Sequence, residues 1–396
     1  MKFLFYLICL IPSIATSSPT NYIILLKQQD AQSNAGISTQ ENTRSNMDIL
    51  NIHLTKVRSL IQSNTRSVLN NTELQLKYIY NHDNFKGYCG QFSPTTIKSI
   101  RGMREVELIE EDRTMSIDLL RQLNAPWGLS RLSQRIKKSN DYVFDNNGGS
   151  NVNVYVIDTG ININHPEFEG RAKWGKTFSD SDDIDDNGHG THVAGTVGSR
   201  LYGVAKKATL VAVKVLNAEG SGAYSDIIAG IQWAAKDAKK NKNTSVANMS
   251  LGGEYSESIN RAVEAAVKSG LAFAVAAGND NNNACDYSPA SSEYVLSVGA
   301  SNNQDLKASF SNWGKCVSLF APGENILSTW NNGKTNTISG TSMASPHVAG
   351  LMAYFLSIEN SDPFQLYDKI TQATTKGQLK GLNLNTNNLL AYNLVE

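Results

Sequence analysis

The sequence predicts an α/β domain, with a mostly parallel central sheet covered by helices on both faces, preceded by a small α+β module. Three features carry this reading. From about Asn124 onward, short apolar runs alternate with longer helical stretches. Those runs are apolar at consecutive positions, as in strands buried on both faces. Before about residue 115 the texture is different, with a polar Gln/Asn/Ser stretch from Gln28 to Met47.

In the first module, Asn21 to Leu26 reads as a strand and Leu50 to Val68 as a helix. Leu76 to Tyr80 alternates like a strand, Pro94 to Ile100 suits a short helix, and Glu105 to Ile109 a last strand. In the main domain, strands are predicted at Val152 to Ile157, Leu210 to Leu216, Ser245 to Leu251, Leu271 to Ala276 and Tyr294 to Val298. Helices are predicted from Val193, over Asp226 to Lys240, over Ser256 to Ser269, and over Ser342 to Leu356. No internal repeat is evident.

The chain has 396 residues, with 36 Lys+Arg against 36 Asp+Glu. A zero net charge argues against a nucleic-acid or anionic-membrane partner. Lys2, the apolar run Phe3 to Ile14 and the small residues Ala15-Thr16-Ser17 read as a signal peptide cut after Ser17. The run is too short to span a bilayer, and no later run is long enough. Entry to the secretory route permits disulfides. Cys9 falls in the signal and Cys89 in the first module, which leaves Cys285 and Cys316 as the natural pair. Two free thiols are the alternative.

Sites in doubly covered sheets lie beyond the carboxyl ends of the strands. Asp158 ends the first main-domain strand, in Val156-Ile157-Asp158-Thr159-Gly160. His189 sits in Asn187-Gly188-His189-Gly190-Thr191-His192. Asn279 ends another strand, in Val275-Ala276-Ala277-Gly278-Asn279. Ser342 lies in Gly340-Thr341-Ser342-Met343-Ala344-Ser345-Pro346-His347, at a predicted helix start. A lone serine there is ordinarily a cap. With a base and an orienting acid nearby it becomes a nucleophile. An Asp, a His, an Asn amide and a Ser at strand ends are what acyl transfer needs.

These segments, in the chain order Asp–His–Ser, resemble the subtilisin family. Ser250-Leu251-Gly252-Gly253 also matches, and the resemblance covers roughly Asn124 to Asn393. Asn124-Ala125-Pro126-Trp127-Gly128-Leu129 and His165-Pro166-Glu167-Phe168 look like the fungal proteinase K and cerevisin branch. The resemblance implies a serine endopeptidase in which Ser342 attacks, His189 is base then acid, Asp158 orients His189, and Asn279 helps bind the oxyanion.

It further implies that an extended substrate pairs with Ser250, Leu251 and Gly252 on one side and with Gly220, Ser221 and Gly222 on the other. Ala276, Ala277 and Gly278 would wall a pocket for the residue before the cut. Leu216, Tyr224 and Ile227 would line a second apolar pocket further upstream. Broad specificity favouring large apolar and aromatic side chains is expected. Residues 18–115 resemble an inhibitor-type propeptide, so the expected order is signal 1–17, propeptide 18–115 and catalytic domain 116–396. The expected protein is a self-processing zymogen, cut near residues 112 to 120. It would act on proteins and peptides as a monomer, with its own propeptide as intramolecular inhibitor. It would travel the secretory pathway to an extracellular or vacuolar destination.

No cofactor is required by this chemistry. Relatives often bind structural calcium, but one proteinase K ligand, an aspartate, is matched here by Ser318. A neutral hydroxyl is a poor ligand for a hard cation, which counts against that site. Val193 is a second departure, standing where the branch carries a cysteine.

Several weaker signals are discounted. Asp158-Thr159-Gly160 matches an aspartic-protease triplet, but no second triplet exists to share a proton. Asp183, Asp185, Asn187 and Gly188 begin a calcium-loop pattern, but the twelfth position is Ala194 instead of Glu. His189 and His192 lack the zinc spacing H-E-x-x-H, so no metal site is assigned. Of the glycosylation sequons, Asn70 would leave with the propeptide and Asn248 is expected inside a strand, which leaves Asn243. The alternative functions are a catalytically silent protease-like binding protein and an α/β-hydrolase esterase. The first is opposed by the four filled catalytic positions. The second lacks both G-x-S-x-G and its residue order.

Overall fold

A computed structural model describes residues 20–27, 39–64, 76–82, 85–112, 119–241 and 244–395. The signal stretch 1–17, the sequon residues Asn70 and Asn243, and most of the expected maturation stretch lie outside the described residues. The chain divides into two compact units, residues 1–116 and 117–396.

In the first unit, a four-stranded antiparallel sheet has the order Leu76–His82, Phe85–Phe92, Thr20–Leu26, Val106–Glu111. Helices Thr39–Asn64 and Pro94–Arg101 accompany it. Ile24, Leu26, Leu50, Leu54, Val57, Tyr88, Phe92, Ile97 and Ile100 form its core. Two features differ from the sequence reading. The long helix starts inside the polar stretch, where Gln, Glu and Arg are good helix formers with little apolar pattern. The Phe85–Phe92 strand was not foreseen, because Gly87 and Gly90 break its periodicity. Gly87 lies there because an added Cβ would collide with the Ile24 carbonyl oxygen.

In the second unit, a nine-stranded sheet runs in the order Thr375–Lys376, Leu389–Leu390, Leu319–Pro322, Leu296–Ser301, Ala272–Ala276, Thr244–Met249, Val152–Asp158, Thr209–Lys214, Ala172–Thr177. All pairings in it are parallel except the first. Every residue of Val152–Asp158 and Ala272–Ala276 is buried, so both faces of the sheet are covered. The helices form two groups. Tyr224–Lys240 packs on Glu257–Lys268, and His189–Gly198 packs on Thr341–Ile358. Glu257–Lys268 shows how sequence sets a helix. Ser256 caps its start by accepting from the Ile259 N–H, and Ile259, Val263, Ala266 and Val267 give one buried face. Thr341–Ile358 is instead buried almost all round, as expected for a helix threaded through a core.

The expected strands and helices of this unit are present, with ends shifted by a few residues. The edge strand Ala172–Thr177 and the strand Leu319–Pro322 were missed. The first mixes polar and apolar residues and the second is only four residues long and ends in proline. Cys285 and Cys316 form the expected disulfide, closing a separation of 31 residues. Such a closure limits the unfolded chain and contributes about 3–4 kcal/mol. The double variant Cys285→Ser/Cys316→Ser is therefore expected to lose roughly that much stability in denaturant unfolding of the matured enzyme. An unchanged unfolding midpoint would contradict this.

Candidate active site

The carboxyl ends of the central strands place Asp158 and Asn279 at one edge of the sheet, as strand topology requires. Asp158 ends its strand with a side chain that is 0% exposed. Its Oδ1 accepts from the Thr159 backbone N–H at 2.8 Å and from His189 Nδ1 at 2.7 Å. Burying a carboxylate without partners is costly, so this pairing also fixes the imidazole with Nδ1 protonated.

His189 is the first residue of its helix, four positions earlier than the apolar pattern at Val193 suggested. The turn that launches it depends on Gly188, at φ +108° with the Trp330 ring against its Cα. Asp185 organises this turn. Its buried carboxylate accepts from the N–H groups of Asn187, Gly188 and Thr191, from the Thr191 hydroxyl and from Thr159 Oγ1. Thr159 Oγ1 in turn accepts from the Gly190 N–H at 2.9 Å. The residue after Asp158 and the residue after His189 are thus tied directly, and Asp185 holds the Thr159 hydroxyl that joins them. An acid before a helix start is also favoured by the helix dipole.

Burial alone would lower the His189 pKa, but the Asp158 charge and hydrogen bond, helped by Asp185, outweigh it and hold the pKa above its ordinary value. His192 and His347 behave oppositely. Burial pushes each down to about 4. His192 Nε2 donates towards the Ile326 and Asn336 carbonyls, so it is a neutral structural residue. Among the described residues, no group of three His, Cys, Asp or Glu is arranged to hold a metal ion.

Ser342 is the second residue of Thr341–Ile358. Pro346, four residues on, has no N–H to give the Ser342 carbonyl. Ser250 Oγ supplies the missing bond at 2.7 Å, while Ser342 Oγ donates to the Ser250 carbonyl at 3.1 Å. Beneath them, Asn248 Nδ2 donates to Ser250 Oγ at 2.9 Å and accepts on Oδ1 from Ser345 Oγ at 2.7 Å. Asn248 and Ser345 are fully buried. The hydroxyl of Ser342 therefore rests on Ser250, and not yet on His189.

Asn279 is oriented by Thr341, whose backbone N–H and hydroxyl both donate to Asn279 Oδ1, at 2.8 and 2.9 Å. A backbone N–H can only donate, so the atom it meets is the oxygen, and Nδ2 is left to face outward. Gly340 lies between the donors, with an added Cβ 3.6 Å from Ser342 N and 3.8 Å from Asn279 Nδ2.

Two cavities meet at Ser342. The larger, about 460 Å³, is lined by His189, Ser342, Gly220, Ser221, Gly222, Ser250, Leu251 and Gly252, and by Leu216, Tyr224 and Ile227. The second, about 320 Å³, is lined by Ala276, Ala277, Gly278, Asn279 and Ser342 and shares Leu251 and Gly252 with the first. Every site residue named from the sequence, the cysteines apart, except Asp158 beneath them, lines one of these cavities. Sequence reading missed Asp185, Thr159, Thr341, Asn248 and Ser345, each of which has at least one partner remote in the chain. The sequence gives one hint for Asp185, its place in the discounted calcium pattern.

An imidazole that must be neutral to take a proton works only above its own pKa. The acid limb of kcat/KM is thus expected above the ordinary histidine value of about 6.5. Asp185→Asn removes a charge that holds the His189 proton, so this limb is expected to move to lower pH. A limb left in place, measured on folded variant, would contradict that.

Comparison with known proteins agrees with this geometry. The profile of the Subtilase family matches residues 149–393, and that of Peptidase inhibitor I9 matches residues 21–118. Alkaline protease 2 of Aspergillus fumigatus is 51% identical over 338 residues, spanning 78% of this chain and 68% of that protein. The cuticle-degrading protease of Metarhizium anisopliae is 49% identical, spanning 80% of this chain and 82% of that protein. The crystal structure of a cold adapted subtilisin-like serine proteinase superposes with a TM-score of 0.66 at 46% identity, covering 69% of this chain and all of the other. The chain belongs to the subtilase family of serine endopeptidases and carries an inhibitor I9 region ahead of its catalytic domain.

Proposed function

We propose that the chain is a pre-pro-enzyme that cuts itself near residues 112 to 120 and then hydrolyses proteins with broad specificity. Ser342 is the nucleophile, His189 the base and then the acid, and Asp158 the group that orients and steadies the imidazolium. The observation that best supports this is the buried Asp158–His189 hydrogen bond of 2.7 Å, with its imidazole lining the same cleft as Ser342.

An extended peptide would lie between Ser250–Gly252 and Gly220–Gly222, with its side chain before the cut in the cavity beside Asn279. Its backbone N–H competes for the Ser250 carbonyl that the Ser342 hydroxyl occupies in the free protein. Losing that acceptor re-aims the Ser342 hydroxyl to His189 Nε2, so binding readies the nucleophile. Ser342 Oγ then bonds to the peptide carbonyl carbon and its proton passes to His189. The carbonyl oxygen becomes an oxyanion held by the Ser342 N–H and Asn279 Nδ2. The C–N bond breaks as His189 returns the proton to the amine, and water repeats the sequence to free the acid. Each oxyanion donor is worth about 100- to 1,000-fold in turnover.

The names of the relatives, an alkaline protease and a cuticle-degrading protease, support protein substrates met outside the cell. A vacuolar destination is the alternative on the same secretory route. A monomer suffices, because one chain supplies every group of the site.

Ser342→Ala is expected to abolish both peptidase activity and self-cutting. A mature-sized product from purified Ser342→Ala, with no other protease present, would refute the self-cutting. Ser318 Oγ, at the position that counts against calcium, is engaged by the Ser297 N–H at 3.1 Å, and the Cys285–Cys316 bridge staples the same region. EDTA is therefore expected to leave the melting temperature of mature enzyme unchanged. A sharp fall would show a structural calcium.

A further inference from the structure

Lys214 ends the strand Thr209–Lys214, where it lies in register with Asp158 on the neighbouring strand. Its side chain is 0% exposed. A lysine is seldom fully buried unless its charge is matched and its donors are used. An ammonium has three N–H donors, and here each has an acceptor. Nζ donates to the Thr159 carbonyl at 2.8 Å, to Asp186 Oδ1 at 2.7 Å and to the Leu216 carbonyl at 3.0 Å. The Asp186 carboxylate, partly open to water, supplies the counter-charge.

The three acceptors belong to three different parts of the site. Thr159 follows Asp158. Asp186 lies in the turn before His189, and its neighbour Asn187 accepts from the His189 N–H on Oδ1 at 3.1 Å. Leu216 opens the segment that leads to Gly220, Ser221 and Gly222. Asn217 shapes that segment by accepting on Oδ1 from the Ser221 N–H at 2.9 Å. The segment starts directly from the Asp158 strand, because the Val215 and Leu216 N–H groups donate to the Asp158 carbonyl at 2.9 and 3.2 Å. The buried ammonium therefore sits at the junction of the acid's turn, the histidine's turn and the Gly220–Gly222 wall of the cleft.

We propose that Lys214 is a positioning residue whose ammonium, paired with Asp186, holds the Gly220–Gly222 wall in register with Asp158 and His189. A peptide bound along the wall is then delivered to Ser342 in the geometry the triad needs. This rests on the reading of that wall as one edge of the bound peptide. A one-residue substrate does not reach the wall and needs only the triad and the oxyanion donors. A four-residue substrate gains rate from contacts along the wall, and that gain is realised only if wall and triad keep their spacing.

The test uses mature enzyme and two amides with the same residue before the cut and the same leaving amine, one carrying a single residue and the other four. The length gain is the ratio of their kcat/KM values, four residues to one, and the parent enzyme is expected to show a clear gain. Lys214→Met keeps the stem and removes the ammonium. In it the gain is expected to fall roughly tenfold, within the roughly 100-fold that a misplacement of about 1 Å can cost. A merely destabilising substitution lowers the amount of active enzyme, so it lowers both rates together and leaves the ratio unchanged. Asp186→Ala, at a partly exposed side chain, provides the same ratio if Lys214→Met folds poorly. A smaller fall is expected there, because the ammonium keeps two of its acceptors. An unchanged ratio in folded Lys214→Met, or in Asp186→Ala where only that variant folds, overturns the proposal. A parent enzyme with no length gain overturns the reading of the wall and the proposal with it, while its cleavage of the one-residue amide leaves the peptidase reading intact.

Discussion

The hydrogen bond between Asp158 and His189 is the constraint on which the catalytic unit depends. A carboxylate with no solvent exposure at a strand end is tolerated only if charge-matching donors are delivered to it. Delivering them fixes the Thr159 turn, the Gly188 turn and the start of the His189–Gly198 helix. The same bond keeps the histidine tautomer that leaves Nε2 free to act as a base. Stability and chemistry therefore draw on one contact, and Asp185 serves both by knitting the two turns around it.

The nucleophile is positioned by a comparable trade. Pro346 removes one helical hydrogen bond at the point where Ser342 needs to be held from outside the helix. Ser250 replaces that bond and links the helix start to the Ser250–Gly252 segment, and Asn248, itself held by Ser345, holds Ser250 from below. Thr341, the neighbour of Ser342, orients the Asn279 amide. The helix start, the Ser250–Gly252 segment and the Asn279 amide thus form one connected set of hydrogen bonds. A substrate bound as proposed at the Ser250 carbonyl would be felt at the Ser342 hydroxyl one bond away.

Much of this was legible in the sequence, and the rest was not for definite reasons. Strands buried on both faces, such as Val152–Asp158, announce themselves as unbroken apolar runs, and the polar residues Asp158 and Asn279 beyond two of them point to the edge that carries the site. Short or edge strands carry no such run, which is why Ala172–Thr177 and Leu319–Pro322 escaped notice. Asp158, His189, Asn279 and Ser342 stood out through their motifs and order. Thr341, Asn248 and Ser345 did not, because each is placed by a bond to a residue far along the chain, and Asp185 did not, because its local bonds are to backbone N–H groups, which leave no sequence pattern, and its link to Thr159 is remote. Asn248 was noticed only as a sequon to be set aside, and its burial is the reason both for that and for its place under Ser250.

Labelling of the matured enzyme with a fluorophosphonate probe, followed across pH and mapped by mass spectrometry, reads the nucleophile and its base together. A single adduct on Ser342 is expected, formed at a rate that rises as His189 loses its proton. Absence of an adduct on correctly processed protein, or an adduct on another residue, would contradict this.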